Sequence, residues 1–446
     1  MTHLPEAFVR RTKELLGSEY PLFEQALSAE PSLSVRVNDK MRYNPSDEQV
    51  LWCDSGFYLN ERPLFTADPL FHCGVYYVQE ASSMFLSEAV KQFFPDAGRV
   101  LDLCAAPGGK STLIAQTLSE KSLLVSNEII HSRANILAEN MIKWGNPNVL
   151  VSNNKPHDFA GLQAYFDAVV VDAPCSGEGM FRKDLQAINE WSEQNVAMCA
   201  KRQREILSDV WDSLKTDGML VYSTCTYNRE ENEENVRWVC NELGADLLRF
   251  DLKGNTQITE TDFGCRFYPH KTRGEGFFIS VMRKTKEISA YKKPKKESKK
   301  GINQTKYNEK LPFLLKNQDE YVFLQEKTKI KAYPANQKDD FVLLNNSLKV
   351  LHSGILLGEI KGKDFIPNTS AALSKSLDLN SADKIEVDYK TAISYLKREN
   401  IFLENEKRGY LLLTYKNQPL GWAKNLVNRC NNLYPQEWRI RMNIIS

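Results

Sequence analysis

The chain has 446 residues, 58 basic and 57 acidic side chains for a net charge of +1, and is 42% hydrophobic and 10% aromatic. That make-up fits an ordinary globular protein of about two to four domains and excludes collagen-like, wholly disordered and disulfide-stapled chains. No run approaches the ~20 apolar residues of a membrane helix and residues 1–20 lack an apolar secretory core, so a cytoplasmic protein with no membrane partner is expected.

Residues 1–75 combine a short amphipathic helix (Ala7 to Leu16), a second near Phe23 to Leu27 and the β-like SLSVRVN at 32–38, which reads as a small α+β cap. From Gly98 the pattern becomes short apolar runs separated by helical stretches: VLDLC at 100–104, LLVSNE at 123–128, VLVS at 149–152 and AVVVDAP at 168–174. Helices are expected over Lys110 to Leu118 and Ser132 to Trp144, and this βα alternation predicts a doubly wound, mostly parallel sheet. A long helix (Leu185 to Leu214), a strand at Met219 to Cys225, a helix over the acidic segment to Leu243 and a strand at Phe277 to Lys284 complete a domain spanning 76–284.

A basic linker is read at 285–310. Between Lys284 and Lys331 stand fourteen lysines against six acids, a local +8 that leaves −7 for the rest of the chain. Its sharpest part, KKPKKESKKG at 292–301, suits a mobile spacer or a contact to nucleic-acid phosphates equally well. Beyond it, YVFL, FVLL and YLLLTY read as strands of an accessory domain (311–384) and a final domain (385–446).

Three strand ends carry the chemistry. In LDLCAAPGGKST (101–112) a strand runs into a loop of small residues and then a helix, so backbone can approach a ligand closely. The loop, Cys104, Ala105, Ala106, Pro107, Gly108, Gly109 and Lys110, misses both the P-loop, whose leading glycine is replaced by Cys104, and the GxGxxG dinucleotide fingerprint. One strand later Glu128 can accept hydrogen bonds from ribose hydroxyls, and a ribose-bearing ligand without pyrophosphate points to S-adenosylmethionine. The second motif, DAPCSGEGMFRKD (172–184), and the third, STCTYNREENEEN (223–235), each end an apolar strand in a polar turn with a cysteine, so Cys175 and Cys225 can face one pocket. The nine cysteines contain no CxxC pair, so no metal site is expected, and Cys53, Cys73, Cys199, Cys240, Cys265 and Cys430 read as inert buried thiols.

CAAPGGK at 104–110, DAPCSGEG at 172–179 and STCTYN at 223–228 resemble the Sun-type (Fmu) family of RNA cytosine-5 methyltransferases, with RVN at 36–38 and VQEASSM at 78–84 as further matches. GILLGEIKGKDFIP (354–367) and PLGWAKNLVNRCNNLYP (419–435) are similar to the PUA-like tail of the bacterial RsmF-like branch, which acts on 16S ribosomal RNA.

The resemblance implies a Rossmann-like α/β methyltransferase core of seven strands between an RNA-binding cap and a PUA-like RNA-binding domain. It also implies S-adenosylmethionine as donor, cytosine in the RNA of the small ribosomal subunit as acceptor, and a monomer. Cys225 would attack carbon-6 of the base, Asp172 would hold its polar edge and also border the donor, and Cys175 would assist release. Arg133 and Asn154 join the loop and Glu128 as donor-site candidates, Asn154 for the adenine. Arg36, Arg182 and Lys183 are the RNA-contact candidates. The other readings are a tRNA or other RNA cytosine-5 methyltransferase, a DNA methyltransferase using Cys175 of Pro174-Cys175, and a non-catalytic RNA-binding assembly factor.

Overall fold

The computed structural model describes residues 4–41, 48–286, 304–307, 309, 311–403 and 407–442; the lysine-rich 292–301 segment lies outside them. Helices Glu6–Leu16 and Tyr20–Leu27 precede a small antiparallel sheet of β1 (Leu33–Val37), β2 (Gly56–Leu59) and β3 (Tyr76–Val78), ordered β2-β1-β3. The helices are amphipathic, and their apolar side chains Phe8, Tyr20 and Phe23 pack against Phe181, Trp191, Tyr227 and Tyr268. The cap therefore sits on the second and third motifs themselves, through Phe181 and Tyr227, and on segments beyond them.

The central sheet starts with β4 (Arg99–Asp102), β5 (Leu123–Asn127), β6 (Val149–Ser152), β7 (Phe166–Asp172) and β8 (Leu214–Thr224), all parallel in the order β6-β5-β4-β7-β8. β5 and β6 are buried along their whole length, as expected of strands covered by helices on both faces. Among the later strands β9 (Ala245–Leu248), β10 (Thr259–Thr261), β11 (Gly264–Phe267) and β12 (Phe277–Lys284), β12 runs antiparallel beside β8. β9 and β11 share the outer edge of β12, and β10 pairs with β11. Strand order reverses at β4, whose neighbours are β5 and β7, so a crevice opens at the carboxyl ends of β4 and β7.

The seven-stranded core implied by the resemblance is thus enlarged at both edges. At the β12 edge this is the β10–β11 hairpin; at the β6 edge it is Val350–Ser353, which pairs antiparallel with β6. The accessory region consequently extends the central sheet, and its remaining strands, from Tyr321–Glu326 to Asp364–Pro367, form a separate antiparallel sheet that also takes in Gln304–Lys306, a strand within the expected linker.

Two expected elements differ. FVLL lies in the helix Lys338–Ser347, where Asp339 and Asp340 occupy the first turn and Phe341 and Leu344 are buried at helical spacing. The stretch 185–214 breaks into Leu185–Glu190 and Glu193–Trp211, because the Ser192 hydroxyl caps the second helix by accepting the Asn195 N–H, and residues from Leu214 already belong to β8. The last sheet, Lys384–Glu386, Gly409–Tyr415, Gln418–Asn425 and Cys430–Asn432, packs with helix Tyr389–Leu396 on the cap: Val35, Val75 and Tyr76 share a core with Leu396, Leu411, Leu413 and Tyr434.

Candidate active site

The first motif leaves β4 at Asp102, passes a cis peptide before Pro107 and enters helix Gly109–Thr117. Gly108 adopts φ 120°, a conformation open to glycine, and a Cβ there would stand 3.3 Å from the Asn140 Cβ. The loop is tied down from the neighbouring strand and helix: Ala105 N–H donates to the Asn127 carbonyl (2.8 Å), Arg133 Nη2 to the Ala106 carbonyl (2.9 Å) and Asn140 Nδ2 to the Pro107 carbonyl (2.7 Å). Burial pushes the Cys104 thiol upward, so it is held protonated in the loop.

Three carboxylates stand at the ends of adjacent strands. Asp102, fully buried, accepts the Ser111 hydroxyl (2.6 Å) through Oδ2 and leaves Oδ1 without a hydrogen-bond partner. Burial pushes its pKa up to about 7, against the pull of Ser111, and the charges of Asp172 and Glu128 add to the rise while Lys110 opposes it. Glu128, 3% exposed, accepts the Ile130 N–H through Oε1 and stands 3.6 Å from Arg133 Nη2 through Oε2. Asp172 accepts the Lys110 ammonium (2.8 Å) on Oδ2 and the Ser223 hydroxyl (2.7 Å) on Oδ1, with its side chain 29% exposed toward the crevice. Lys110 therefore serves the carboxylates. Burial works against its charge, but Asp172 outweighs that and its pKa is raised.

The second and third motifs meet because β7 and β8 are adjacent parallel strands in register, Asp172 opposite Ser223. Cys175 Sγ and Cys225 Sγ stand 3.0 Å apart, both half-buried and unlinked. The hydrogen bond to Cys225, then burial, raises the Cys175 pKa well above that of an ordinary thiol. Either sulfur can donate to the other across this contact.

Around the thiols lies a sealed polar network that the sequence reading did not single out. Glu178 (2% exposed) and Glu231 (0%) accept hydrogen bonds from both loops, and Gln203 and Asn228 fill their remaining lone pairs. Asp102 was likewise not anticipated. Its one signal was a charged residue within an apolar strand.

Three RNA-contact or donor-site candidates are corrected. Arg36 is 0% exposed and donates to the Gln79 and Gln116 side-chain oxygens, the Gly109 carbonyl and Thr112 Oγ1, with its guanidinium 4.4 Å from the Trp144 ring centroid. It clamps the cap to helix Gly109–Thr117 and has no surface for RNA. Arg182, its side chain 6% exposed, pairs with Glu275 and the Gly274 carbonyl, so it too is internal. Asn154 has both ends of its amide engaged, donating to Asp158 and accepting the Lys349 N–H, which makes it a clamp for the added edge strand rather than an adenine contact. Lys183 stays at the surface, 3.3 Å from Glu275.

Comparison with known proteins adds independent weight. Family models match three segments: the N-terminal domain of 16S rRNA methyltransferase RsmF at residues 4–81, 16S rRNA methyltransferase RsmB/F at 94–283, and the methyltransferase RsmF PUA domain at 382–440. Ribosomal RNA small subunit methyltransferase F of Shigella dysenteriae is 30% identical over 98% of this chain and 96% of its own length. The chain belongs to the RsmF family. Another RsmF, from Pectobacterium atrosepticum, is 29% identical over 97% of this chain and 95% of its own. Among solved structures, a methyltransferase homolog from Pyrococcus horikoshii is 26% identical with a TM-score of 0.53, covering 63% of this RsmF-family chain and 95% of its own. NSun6 from the same organism, 22% identical with a TM-score of 0.53 over 64% and 99%, shares the fold.

Proposed function

We propose that the protein transfers a methyl group from S-adenosylmethionine to carbon-5 of cytosine in small-subunit ribosomal RNA, through a covalent bond between Cys225 and the base. The observation that carries this reading is the thiol pair, 3.0 Å apart, on the turns that follow two neighbouring parallel strands, with Asp172 ending the first of them. The relatives named RsmF support the choice of RNA over DNA and of the small subunit over tRNA.

The donor site suits a cation. Asp102, Glu128 and Asp172 feel one another's negative charge at the ends of β4, β5 and β7, which favours a ligand carrying a sulfonium and an ammonium and disfavours a pyrophosphate. Glu128 is the residue to hold the ribose hydroxyls, and the unpartnered Asp102 oxygen fits a cationic donor group. When bound, the donor supplies a methyl group activated by positive sulfur.

Carbon-5 of cytosine is a poor nucleophile until a thiolate adds at carbon-6. In keeping with the family resemblance of the STCTYN motif, Cys225 is the sulfur that adds, as its thiolate, and carbon-5 then takes the methyl group from the donor sulfur. Asp172, with two of its four lone-pair positions used by Lys110 and Ser223, accepts from the amino group of the base. Once the Cys225 sulfur is bound to carbon, the hydrogen bond that most raises the Cys175 pKa is gone. Cys175, its own proton passed to water, takes the proton on carbon-5; the electrons of that C–H bond re-form the 5,6 double bond and the Cys225 sulfur leaves carbon-6 as a thiolate. The cap and the PUA domain are the RNA-gripping parts, and a base paired in a helix must be unstacked to enter.

The test is a denaturing gel with RNA and donor. Cys175→Ala accumulates a protein–RNA adduct resistant to denaturation and Cys225→Ala accumulates none; the reverse pattern makes Cys175 the nucleophile. Bisulfite sequencing for 5-methylcytosine in the same RNA reads the position and the chemistry, and its absence with wild-type protein refutes the reading.

A further inference from the structure

Glu178 and Glu231 are sealed from solvent, yet each reaches across the seam between the two thiol-bearing loops. Glu178 follows Cys175, and its Oε2 accepts the N–H groups of Tyr227 and Asn228, both 2.9 Å, in the loop that follows Cys225. Glu231 lies beyond Cys225, and its Oε2 accepts the N–H of Ser176, 3.0 Å, the residue after Cys175. Each cysteine's loop is thus held by a carboxylate from the other's. The seam is closed further by Gly179 N–H to the Cys225 carbonyl (2.8 Å), where a Cβ on Gly179 would meet that carbonyl at 2.7 Å, and by the Ser176 and Thr226 hydroxyls at 3.0 Å.

Burying two carboxylates is strongly unfavourable unless their lone pairs are filled. Here they are filled, by backbone N–H groups and by Gln203, Asn228 and Trp191. Charge-assisted bonds to backbone are shorter and stronger than neutral ones, and they fix main chain rather than side-chain rotamers.

We propose that Glu178 and Glu231 are positioning residues, a reciprocal pair of carboxylate clasps that sets the spacing between the Cys175 and Cys225 sulfurs. The proposal deepens the cytosine-5 reading and rests on it for its catalytic meaning, while the spacing can be read without any RNA.

Diamide takes two electrons and two protons from neighbouring thiols, becoming the hydrazine and leaving a disulfide. Peptide mapping of the unreduced full-length protein measures the Cys175–Cys225 bond. Wild type links readily, and Glu178→Gln and Glu231→Gln link about tenfold more slowly, because a shift near 1 Å removes the alignment. Heats of S-adenosylmethionine binding stay as in wild type, and methyl transfer to RNA falls in kcat with the donor KM unchanged, a split that general unfolding does not produce. Should Glu231→Gln fail to fold, Asn228→Ala, which removes one side-chain donor from both carboxylates, takes its place. Linking at the wild-type rate in these variants overturns the proposal. Slowed linking in the variants, where wild-type protein too makes no 5-methylcytosine, leaves the clasp standing and overturns the cytosine reading instead.

Discussion

Arg36→Met separates a surface role from an internal one. The guanidinium is wholly buried, its hydrogen-bond partners are neutral, and burial lowers its pKa to about 10. Removing it leaves the Gln79 and Gln116 oxygens without their donor, at about 1–3 kcal/mol each. Loss of the stacking on Trp144 adds roughly 0.5–2 kcal/mol, part of which methionine's own burial offsets. The expected net loss is about 3–5 kcal/mol, which lowers the calorimetric transition by roughly 6–20 °C at about 2–4 °C per kcal/mol for a unit of this size. RNA binding is then titrated at two salt concentrations well below the transition. The slope of log affinity against log salt is expected to match wild type. An unmoved transition together with a slope shallower by about one refutes the internal role and restores Arg36 as a phosphate contact.

Three further predictions follow from single groups. Burial, then the Lys143 charge, lowers the His72 pKa to about 3, against 6.5 for the free side chain. Between those values the unfolded chain holds a proton that the native state does not, so stability is full above pH 6.5 and drains as pH falls, by about 2 kcal/mol at pH 5. His72→Gln should flatten that stretch of the urea-unfolding profile, and an unchanged profile counts against it. Asp102, with its pKa near 7, should make S-adenosylmethionine bind more weakly at pH 6 than at pH 8, since only the ionised carboxyl favours a cation; Asp102→Asn should remove the calorimetric pH dependence, and its persistence would assign it elsewhere. Gly276→Ala would put a Cβ 2.4 Å from the ring of Tyr227, itself buried against Phe23 and Tyr268, and should cost about 1–3 kcal/mol in thermal unfolding. No loss would mean that the ring has room to move.

The strand ends were legible because β4 to β7 and the second half of β8, from Met219, are largely apolar runs that end in polar residues, as parallel strands buried on both faces have to read, whereas the first half of β8, LKTDG, is polar and carries no such signal. That the Cys175 and Cys225 loops are neighbours depends on strand order, which one-dimensional spacing does not carry. Arg36 was misread because a lone arginine in VRV gives no sign of whether Gln79, Gln116 and Thr112, 43 to 80 residues away, will converge on it. Glu178 and Glu231 read as ordinary polar residues of their motifs, since their hydrogen bonds join loops 49 to 55 positions apart. FVLL failed as a strand for a local reason: four apolar residues fit either period, and the acidic first turn that decides for helix lies just outside the run.

The pairing of Val350–Ser353 with β6 has a temporal consequence. A nascent chain emerges N-terminus first, so every residue that bears donor or base chemistry leaves the ribosome while the outer flank of β6 is still bare. Until the chain has been made past position 353, that flank is an open template for another polypeptide. A gene shortened after the methyltransferase motifs should therefore yield aggregates rather than a smaller soluble protein.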